Sequence, residues 1–272
     1  MPVDPSAYVA PTAKVHPDAR IGPQTHIGEF CVIEQDVVIG ARCRLEPYVY
    51  IKRWTTLGDD NEISAGAALG TDPFDKNFTG ERSYLVIGNG NRIREHFTIS
   101  RGTAPESVTR VGDGNFIMSS GHIAHNATVG NRTVIASCAL IAGHVTVEDQ
   151  AFISGCVVVH QFCRIGRLAM IGGGVRVNQD LPPFFLYSGV YASPVGLNVV
   201  GLRRAGFSSE EVAAIKRAYR LLYRSGLTLT KALERIEQEI DSPHARHIVE
   251  FARGTKRGIA REREGRERFR FE

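Results

Sequence analysis

Aliphatic residues recur at every sixth position through the middle of the chain. The repeat runs without a miss through Val111, Ile117, Ile123, Val129, Ile135, Ile141, Val147, Ile153, Val159, Ile165, Ile171 and Val177. Neither an α-helix nor a single strand requires this period, so the pattern indicates stacked structural units. Three six-residue sides make a triangular turn of about 18 residues, and successive turns stack about 4.8 Å apart, as neighbouring strands do. The repeat therefore predicts a mainly β fold, a parallel β-helix with these side chains inside.

The same repeat starts near the N-terminus and is broken twice. It begins at Val15, keeps its step to Leu69 and resumes at Ile87. Residues 71–84 and 100–110 interrupt it, the first of them with proline, glycine and charged residues where a coil is expected. Because insertions in solenoids collect on one face, which is often the binding face, both breaks are candidate walls of a substrate site. A tolerated surface insertion is the alternative interpretation.

The repeat ends before two consecutive prolines, and the remaining sequence is predicted to be helical. Ser208 and Glu211 have the spacing of a capping box, and apolar residues follow at helical intervals until Gly226. Two further amphipathic helices are predicted over residues 228–240 and 243–258. The domains we predict are a β-helix of residues 1–190 and a C-terminal helical domain of residues 191–272.

Composition and charge describe a globular chain with an uneven charge distribution. The 272 residues are 43% hydrophobic, which is enough for a full core in one or two domains. We expect a cytoplasmic protein, because the sequence has no apolar run of about 18 residues and no basic, apolar leader. The five cysteines lack CxxC or CxxH spacing, which speaks against a disulfide framework or a zinc site. The net charge of +4 hides a concentration of arginine in the last 20 residues, which favours acidic partners.

Four histidines, His122, His125, His144 and His160, lie in the central coils. The last three are separated by 19 and 16 residues, each close to one coil, so we expect their imidazoles near the same edge of consecutive turns. A single histidine there would most often be structural, and three could hold a metal ion. No nearby Asp, Glu or Cys has ligand spacing, so acid–base chemistry is the favoured hypothesis.

Six segments of the chain resemble a known family. They are GHIAHNATVGN (121–131), IAGH (141–144), VHQF (159–162), GGG (172–174), QDLPPF (179–184) and SPVGLNVVGLRRAGF (193–207). On the evidence of these segments, nearly the whole chain resembles the bacterial UDP-N-acetylglucosamine O-acyltransferases, which catalyse the first step of lipid A synthesis. The resemblance implies a left-handed β-helix, a homotrimer and a helical C-terminal domain. It implies neither a cofactor nor a metal ion.

The resemblance also implies a reaction and a set of site residues. The family transfers a 3-hydroxyacyl chain from the thioester of acyl carrier protein to the 3-hydroxyl of UDP-N-acetylglucosamine, without a covalent acyl-enzyme. By residue-by-residue carry-over, His125 is the general base and the Gly143 N–H faces the developing oxyanion. The resemblance also implies contacts with each part of the substrates. The sugar is contacted by His122, His144 and Asp75, the last of which lies in the first interruption of the repeat. The acyl and sugar region is contacted by His160 and Gln161, the acyl groove by Gly173, and the nucleotide by Asn198 and Arg204.

Several positions depart from the family pattern. Asn126 stands where an aspartate commonly follows the catalytic histidine, and an amide can orient an imidazole but offers it no charge. Phe74 and Asn77 replace polar residues in the segment PFDKNF (73–78), which is expected to contact the sugar. Val200 replaces a glutamate in the segment 193–207, which is expected to contact the nucleotide. These changes leave open a 3-amino sugar as acceptor. The segment HIAHN (122–126) also resembles the active segment of the lipid A N-acyltransferase, which acts on a later intermediate and is the nearest alternative. A non-catalytic β-helix scaffold and a zinc-binding β-helix are the alternatives from other classes.

Two more expectations concern the acyl chain and its carrier. The match at Gly173 implies a long, open acyl groove, whereas a glycine that only turns a coil corner is the alternative. Acyl carrier protein is acidic, and the first predicted C-terminal helix carries Lys216, Arg220 and Arg224 on one face at steps of four. We therefore expect that face to bind the carrier, unless it is simply a solvated cationic surface.

Overall fold

A computed structural model of the chain describes residues 3–261. The part of the arginine-rich tail that follows residue 261 lies outside the described residues. Within the described range the strands form three sheets, and most strands are two residues long. Strands of the same sheet are parallel neighbours from successive coils, except for the last pair in the first sheet. The three sheets are the three sides of the predicted β-helix.

The strands, numbered in chain order, alternate among the three sheets. The first sheet contains β1 (Tyr8–Val9), β4 (His26–Ile27), β7 (Arg44–Leu45), β10 (Glu62–Ile63), β13 (Arg92–Ile93), β16 (Phe116–Ile117), β19 (Val134–Ile135), β22 (Phe152–Ile153), β25 (Met170–Ile171), β27 (Phe185–Ser188) and β28 (Ser193–Leu197). The second contains β2 (Lys14–Val15), β5 (Val32–Ile33), β8 (Tyr50–Ile51), β11 (Ala68–Thr71), β14 (Thr98–Ser100), β17 (His122–Ile123), β20 (Leu140–Ile141), β23 (Val158–Val159) and β26 (Arg176–Val177). The third contains β3 (Arg20–Ile21), β6 (Val38–Ile39), β9 (Thr55–Leu57), β12 (Tyr84–Ile87), β15 (Val108–Val111), β18 (Thr128–Val129), β21 (Thr146–Val147) and β24 (Arg164–Ile165).

The aliphatic repeat forms the core, as predicted. Every repeat position from Val111 to Val177 is buried. In the first sheet, Ile117, Ile135 and Ile153 stack directly on one another in register. Since each two-residue strand sends one side chain inward and the other outward, a shift of one residue would expose the aliphatic set. Burial of this column therefore fixes the 18-residue register.

The corners between sides use a backbone conformation that side chains rarely adopt. Asn126, His144 and Phe162 occupy one corner on consecutive coils, with φ of +60°, +59° and +65°. The left-handed conformation costs about 1 kcal/mol or more per residue, and burial of the neighbouring aliphatic residues offsets that cost. Each such corner turns the chain sharply and points its side chains outward. Polar residues at a corner are thereby held in fixed positions on the surface.

The residue that begins each corner contributes little to the backbone ladder. Several of these first corner positions near the N-terminus are proline: Pro5, Pro11, Pro17, Pro23 and Pro47. Proline has no N–H, so it fits where the ladder requires no donor. Elsewhere a side chain accepts from this N–H, as Asp149 does from Asn131 at 2.8 Å. A corner that lacks proline and such a side chain leaves a backbone donor available.

Buried polar side chains form a second ladder inside the coils. The Asn61 side chain accepts from Asn91, the Asn91 side chain accepts from Asn115, and the Asn115 Oδ1 accepts from both the N–H and the hydroxyl of Thr133. The four residues are buried, and the bonds are 2.7–3.0 Å long. Each amide thus satisfies the donors of the next coil, as buried polar groups require.

The two interruptions of the repeat are loops, as predicted. Residues 72–83 connect β11 to β12, and residues 101–107 connect β14 to β15. The Arg101 guanidinium, 0% exposed, joins the two loops because its Nη2 lies 2.6 Å from the Asp72 carboxylate. The Lys52 ammonium contacts the other oxygen of the same carboxylate at 2.7 Å. This buried cation fixes the base of the first loop against the second.

The C-terminal region packs as helices after a β-hairpin. Strand β27 continues the first sheet and pairs antiparallel with β28. The helices are α1 (Val199–Arg204), α2 (Ser209–Tyr223), α3 (Leu229–Glu239) and α4 (Pro243–Arg253). The predicted capping box of Ser208 and Glu211 begins α2. No described helix is long and apolar enough to cross a membrane.

The helix predictions differ from the structure in two places. The short helix α1 was not predicted, because its six residues and the N-cap are too few to show a helical period in the sequence. The helix predicted over residues 243–258 ends at Arg253. Beyond it the chain turns back to the coil end, where the Thr255 hydroxyl donates to the Asp180 carboxylate at 2.7 Å and Ala260 N–H donates to the Asp180 carbonyl. The chain forms these bonds with Asp180 in place of further helical hydrogen bonds, and the helix therefore ends at Arg253.

We predict that Asn115→Ala destabilises the protein more than the exposed substitution Asp113→Ala. The first change leaves the buried donors of Thr133 without an acceptor, which costs about 1–3 kcal/mol in free energy of unfolding. The Asp113 carboxylate accepts the Asn89 N–H at an exposed corner, where water can replace it, so its loss should cost below about 1 kcal/mol. Urea unfolding of both variants measures the difference, and equal losses would show that the inner ladder is not needed.

Candidate active site

His125 and the adjacent Asn126 form the centre of the site. They lie at the corner after β17, where the half-buried His125 Nδ1 is 3.0 Å from Asn126 Oδ1. The Asn126 N–H donates to the Thr109 hydroxyl at 2.8 Å, which anchors the corner itself. An oxygen facing Nδ1 requires the proton on that nitrogen, so Nε2 carries the free lone pair. The imidazole is thus oriented with Nε2 able to accept a proton.

His144 lies beside His125 on the next coil. The two ring centroids are 5.4 Å apart and nearly perpendicular, and the opposite neighbour of His144 is the Phe162 ring, stacked at 4.8 Å. Partial burial, and then the nearby His125, lower the pKa of His144, while Asp75 acts in the opposite direction. His144 is therefore a neutral hydrogen-bonding group near neutral pH.

His122 lies deeper, on the outward side of β17. Its Nδ1 is 2.7 Å from the Thr98 hydroxyl, and its ring lies 5.0 Å from that of Phe74 in the first loop. Burial is the main cause of the lowered pKa of His122. Its Nε2 is buried and has no partner within the described residues. An unpaired buried nitrogen of this kind is ready to bind a polar group of a ligand.

Gly143 packs directly against the His125 ring. A Cβ at this position would lie 2.5 Å from His125 Cε1 and 2.8 Å from Nε2, so a larger residue would displace the imidazole. Gly143 also begins a corner, and within residues 3–261 its N–H meets no acceptor. The coil geometry therefore places an available backbone donor next to the oriented histidine.

His160 and Gln161 lie on the third of these coils. The sequence predicted the imidazole of His160 beside those of His125 and His144, but the structure does not stack all three. Phe162, not His160, occupies the corner position that follows His144. The exposed His160 lies two positions earlier, with its Nδ1 3.1 Å from the Gln161 carbonyl oxygen. The structure therefore brings His125 and His144 into direct contact and leaves His160 at the edge of the site.

The described residues contain no group of three His, Cys, Asp or Glu side chains that could hold a metal ion. The exposed cysteines Cys138 and Cys156 share another corner, in register on neighbouring coils. They are thus at the surface, at equivalent positions 18 residues apart.

Comparison with known proteins decides the family. The family model described as UDP-N-acetylglucosamine O-acyltransferase, domain 2, matches residues 180–260. The acyl-[acyl-carrier-protein]–UDP-N-acetylglucosamine O-acyltransferase of Tolumonas auensis is 53% identical over 261 residues, which are 95% of this chain and 99% of that protein. The enzyme of the same name from Halorhodospira halophila is 46% identical over 76% of this chain and 81% of its own length. This chain belongs to the UDP-N-acetylglucosamine O-acyltransferase family.

Solved structures agree with this membership. The crystal structure of a UDP-N-acetylglucosamine acyltransferase from Bacteroides fragilis has a TM-score of 0.91 and 39% identity, covering 93% of this chain and all of that one. The acyltransferase from Francisella novicida has a TM-score of 0.86 and 36% identity, covering 96% of this chain and 95% of that one. The expected fold class, a left-handed parallel β-helix with C-terminal helices, is confirmed.

Family resemblance assigned Gly173 to the acyl groove, and the structure distinguishes it from its neighbour. Gly174 is the corner residue, with φ of +69°. Gly173 is exposed and does not require the left-handed conformation, and a Cβ there would meet only the Gly155 carbonyl oxygen at 3.4 Å. The corner therefore explains the glycine at 174 but not the one at 173, which leaves open space on the surface.

The two residues that the family resemblance assigned to the nucleotide line one groove. Asn198 and Arg204 lie at opposite ends of α1, together with Val200 and the coil residues Arg132 and Gln150. The Asn198 amide already serves as the N-cap of α1: its Oδ1 accepts from Gly201 N–H at 3.0 Å, and its Nδ2 donates to the Leu168 carbonyl at 2.9 Å. Arg204 is exposed, so its guanidinium is the more available group for a phosphate.

The basic face expected to bind the carrier lies on α2. Lys216, Arg217 and Arg220 are exposed, and none of them forms an ion pair within the described part of the chain. Arg224 follows the end of the helix, and its guanidinium lies 3.4 Å from the Tyr219 hydroxyl. The face is thus cationic and largely accessible.

Sequence reasoning missed two hydroxyl residues of the site. Thr98 contacts His122, and Thr103 in the second loop contacts Asn126. Threonine is common at coil positions, so residue type gave no signal. The coil pairing could have identified Thr98, because it is the residue paired with His122 in the second sheet.

We predict that His122→Asn makes the free energy of unfolding less dependent on pH below about pH 6.5. The pKa of folded His122 lies below its ordinary value of 6.5, so the unfolded chain binds this proton more readily. Stability is therefore full above about pH 6.5, falls as pH drops through that value, and stops falling below the folded pKa. Asparagine keeps an amide for Thr98 but does not titrate. Urea unfolding near pH 7.5 and pH 5.5 should give a smaller difference for the variant, and an unchanged difference would contradict the prediction.

Proposed function

We propose that this protein transfers a 3-hydroxyacyl chain from acyl carrier protein to the 3-hydroxyl of UDP-N-acetylglucosamine, the first step of lipid A biosynthesis. Relatives at 53% and 46% identity carry the name of that activity. The observation that carries the proposal is the contact of His125 with Asn126 on one side and with Gly143 on the other. Together these residues provide an oriented base and a backbone donor at the same corner of two consecutive coils.

The reaction follows from this geometry. His125 Nε2 takes the proton of the sugar hydroxyl as its oxygen attacks the thioester carbonyl carbon. The Gly143 N–H stabilises the negative charge that develops on the carbonyl oxygen. As the new C–O bond is retained and the C–S bond breaks, the imidazolium returns its proton to the leaving thiolate. The ester and the free carrier thiol are the products.

The remaining polar groups are proposed to hold the substrates. The neutral imidazoles of His122 and His144 bind sugar hydroxyls, with Asp75 on the first loop nearby. His160 and Gln161 border the acyl and sugar region, and Arg204 binds the diphosphate. Asn198 supports that site mainly by capping α1, which positions Arg204.

We also propose a long acyl groove and a homotrimeric assembly in the cytoplasm. The open surface at Gly173 is consistent with passage of an acyl chain. Leu140 and Val158, each 46% exposed, continue the outward row of His122 along the second sheet. Exposed aliphatic residues next to a polar site favour a neighbouring subunit as the other wall. An assay with carrier-bound chains of several lengths and sedimentation analysis test these two points.

The main prediction is that His125→Ala nearly abolishes acyl transfer. Loss of a general base costs about 10²- to 10⁴-fold in kcat, and the aliphatic core is untouched. The protein is incubated with UDP-N-acetylglucosamine and 3-hydroxyacyl carrier protein, and the nucleotide product is identified by mass spectrometry. The matched control is His26→Ala, an exposed histidine on the N-terminal coils that should retain wild-type turnover. Near wild-type turnover of the His125 variant would refute the base assignment.

A second prediction concerns the carrier. The double variant Lys216→Glu, Arg220→Glu should raise the KM for acyl carrier protein many-fold and leave the KM for the UDP-sugar nearly unchanged. Charges on exposed partners are screened beyond about 8 Å at physiological ionic strength, so the wild-type KM for the carrier should rise with added salt.

The matched control makes the same change of charge at the other end of the coil. Lys14→Glu, Arg20→Glu alters two exposed cations on β2 and β3, far from α2 along the solenoid. It should leave the carrier KM unchanged. If both double variants raised that KM equally, net charge alone would explain the effect and the docking site on α2 would be wrong.

A further inference from the structure

The second loop provides a contact to the site that the reaction itself does not require. Thr103 lies half-buried in this loop, and two of its groups approach Asn126 Oδ1: the backbone N–H at 3.2 Å and the side-chain hydroxyl at 2.9 Å. The same oxygen lies 3.0 Å from His125 Nδ1. One amide oxygen therefore meets three potential donors.

The backbone donor decides which end of the amide faces this cluster. A peptide N–H can only donate, so the Asn126 atom opposite Thr103 N–H must be the oxygen and not the NH₂ group. Because the same oxygen faces His125, the proton of the neutral imidazole is held on Nδ1 and the lone pair on Nε2. A flipped amide would present its NH₂ to Nδ1 and move the imidazole proton to Nε2, where it would block the base.

Thr103 is itself held in place by the base of the loop. The Arg101 N–H donates to the Thr71 carbonyl at 3.0 Å, and the Ser83 hydroxyl donates to the Gly102 carbonyl at 2.6 Å. The buried ion pair between Arg101 and Asp72 fixes the same segment. The donors of Thr103 are thereby presented by a fixed backbone.

We propose that Thr103 is a positioning residue that selects the reactive tautomer of His125 through the Asn126 amide. The proposal rests on the proposed function of His125 and adds the second loop to the catalytic machinery. It also explains why an amide suffices at position 126. An aspartate offers two acceptor oxygens and needs no selection, whereas an asparagine needs a neighbouring donor that fixes its orientation.

The test is a double-mutant cycle between positions 103 and 126. Thr103→Val keeps the shape and the backbone N–H but removes the second and shorter bond to Asn126 Oδ1, so the amide is held less firmly in the orientation that the N–H selects. This variant should lower kcat about 3- to 10-fold with little change in KM for either substrate. Thr103→Ser should restore activity. In an Asn126→Asp background, which should be at least as active as the wild type, Thr103→Val should cost less than about 2-fold. A purely structural effect of Thr103 would cost the same in both backgrounds, and that result would overturn the proposal.

A second measurement needs no turnover. Diethyl pyrocarbonate acylates an unprotonated imidazole nitrogen, and peptide mass mapping gives the rate at His125 relative to the exposed His26. Thr103→Val should slow this rate at His125 about 3- to 10-fold in the Asn126 protein and below about 2-fold with Asn126→Asp. Thr128→Val, an exposed threonine on β18, is the matched control and should change neither rate nor turnover.

The two readouts separate the two hypotheses. If the wild-type protein transferred no acyl chain, the proposed function would fail, and the labelling rates would still decide whether Thr103 controls His125. If transfer proceeds but neither kcat nor labelling depends on Thr103 in the Asn126 protein, the positioning effect is wrong and the proposed function stands.

Discussion

Parallel stacking of coils in strict register is the constraint on which this structure depends. Each side contributes only a two-residue strand, so an isolated coil buries almost nothing, and stability comes from inward aliphatic residues stacked on the coils above and below. The stack also requires that polar groups inside it be paired from coil to coil. The ladder of Asn61, Asn91 and Asn115 meets that requirement with side chains that accept from one neighbour and donate to another.

The same constraint sets the geometry of the candidate active site. A triangular coil must turn at every corner, so residues such as Asn126 and His144 are held in the left-handed conformation and point outward at fixed positions. The register puts Gly143 directly against His125, where the absence of a side chain admits the ring and the corner leaves an N–H available. The geometry of the proposed catalytic residues is thus largely a consequence of the repeat, with polar residues placed at corners that the fold already fixes.

The sequence predicted what periodicity controls. Repeat positions, both loops, the capping box at Ser208 and the proximity of His125 to His144 could be predicted, because these features depend on spacing along the chain. His160 was expected in the same stack, but the corner position after His144 belongs to Phe162. Contacts made by irregular backbone could not be read. The end of α4 depends on Asp180, which is remote in sequence, and the contact of Thr103 with Asn126 depends on how the second loop folds back. The nucleotide assignment of Asn198 came from resemblance, and its capping bonds became visible only with α1 in place.

The loops therefore supply what a repeat cannot. A coil fixes the backbone of each corner, yet it leaves the end of an asparagine side chain free to rotate, since donor and acceptor have nearly the same shape. Only a group outside the repeat with a fixed polarity can select one orientation, and a backbone N–H is such a group. In this protein the second loop brings that donor to Asn126, while Arg101 links the loop to the first one, which carries Phe74 and Asp75. With asparagine at position 126, the proposed orientation of His125 therefore depends on both loops, which one buried cation links.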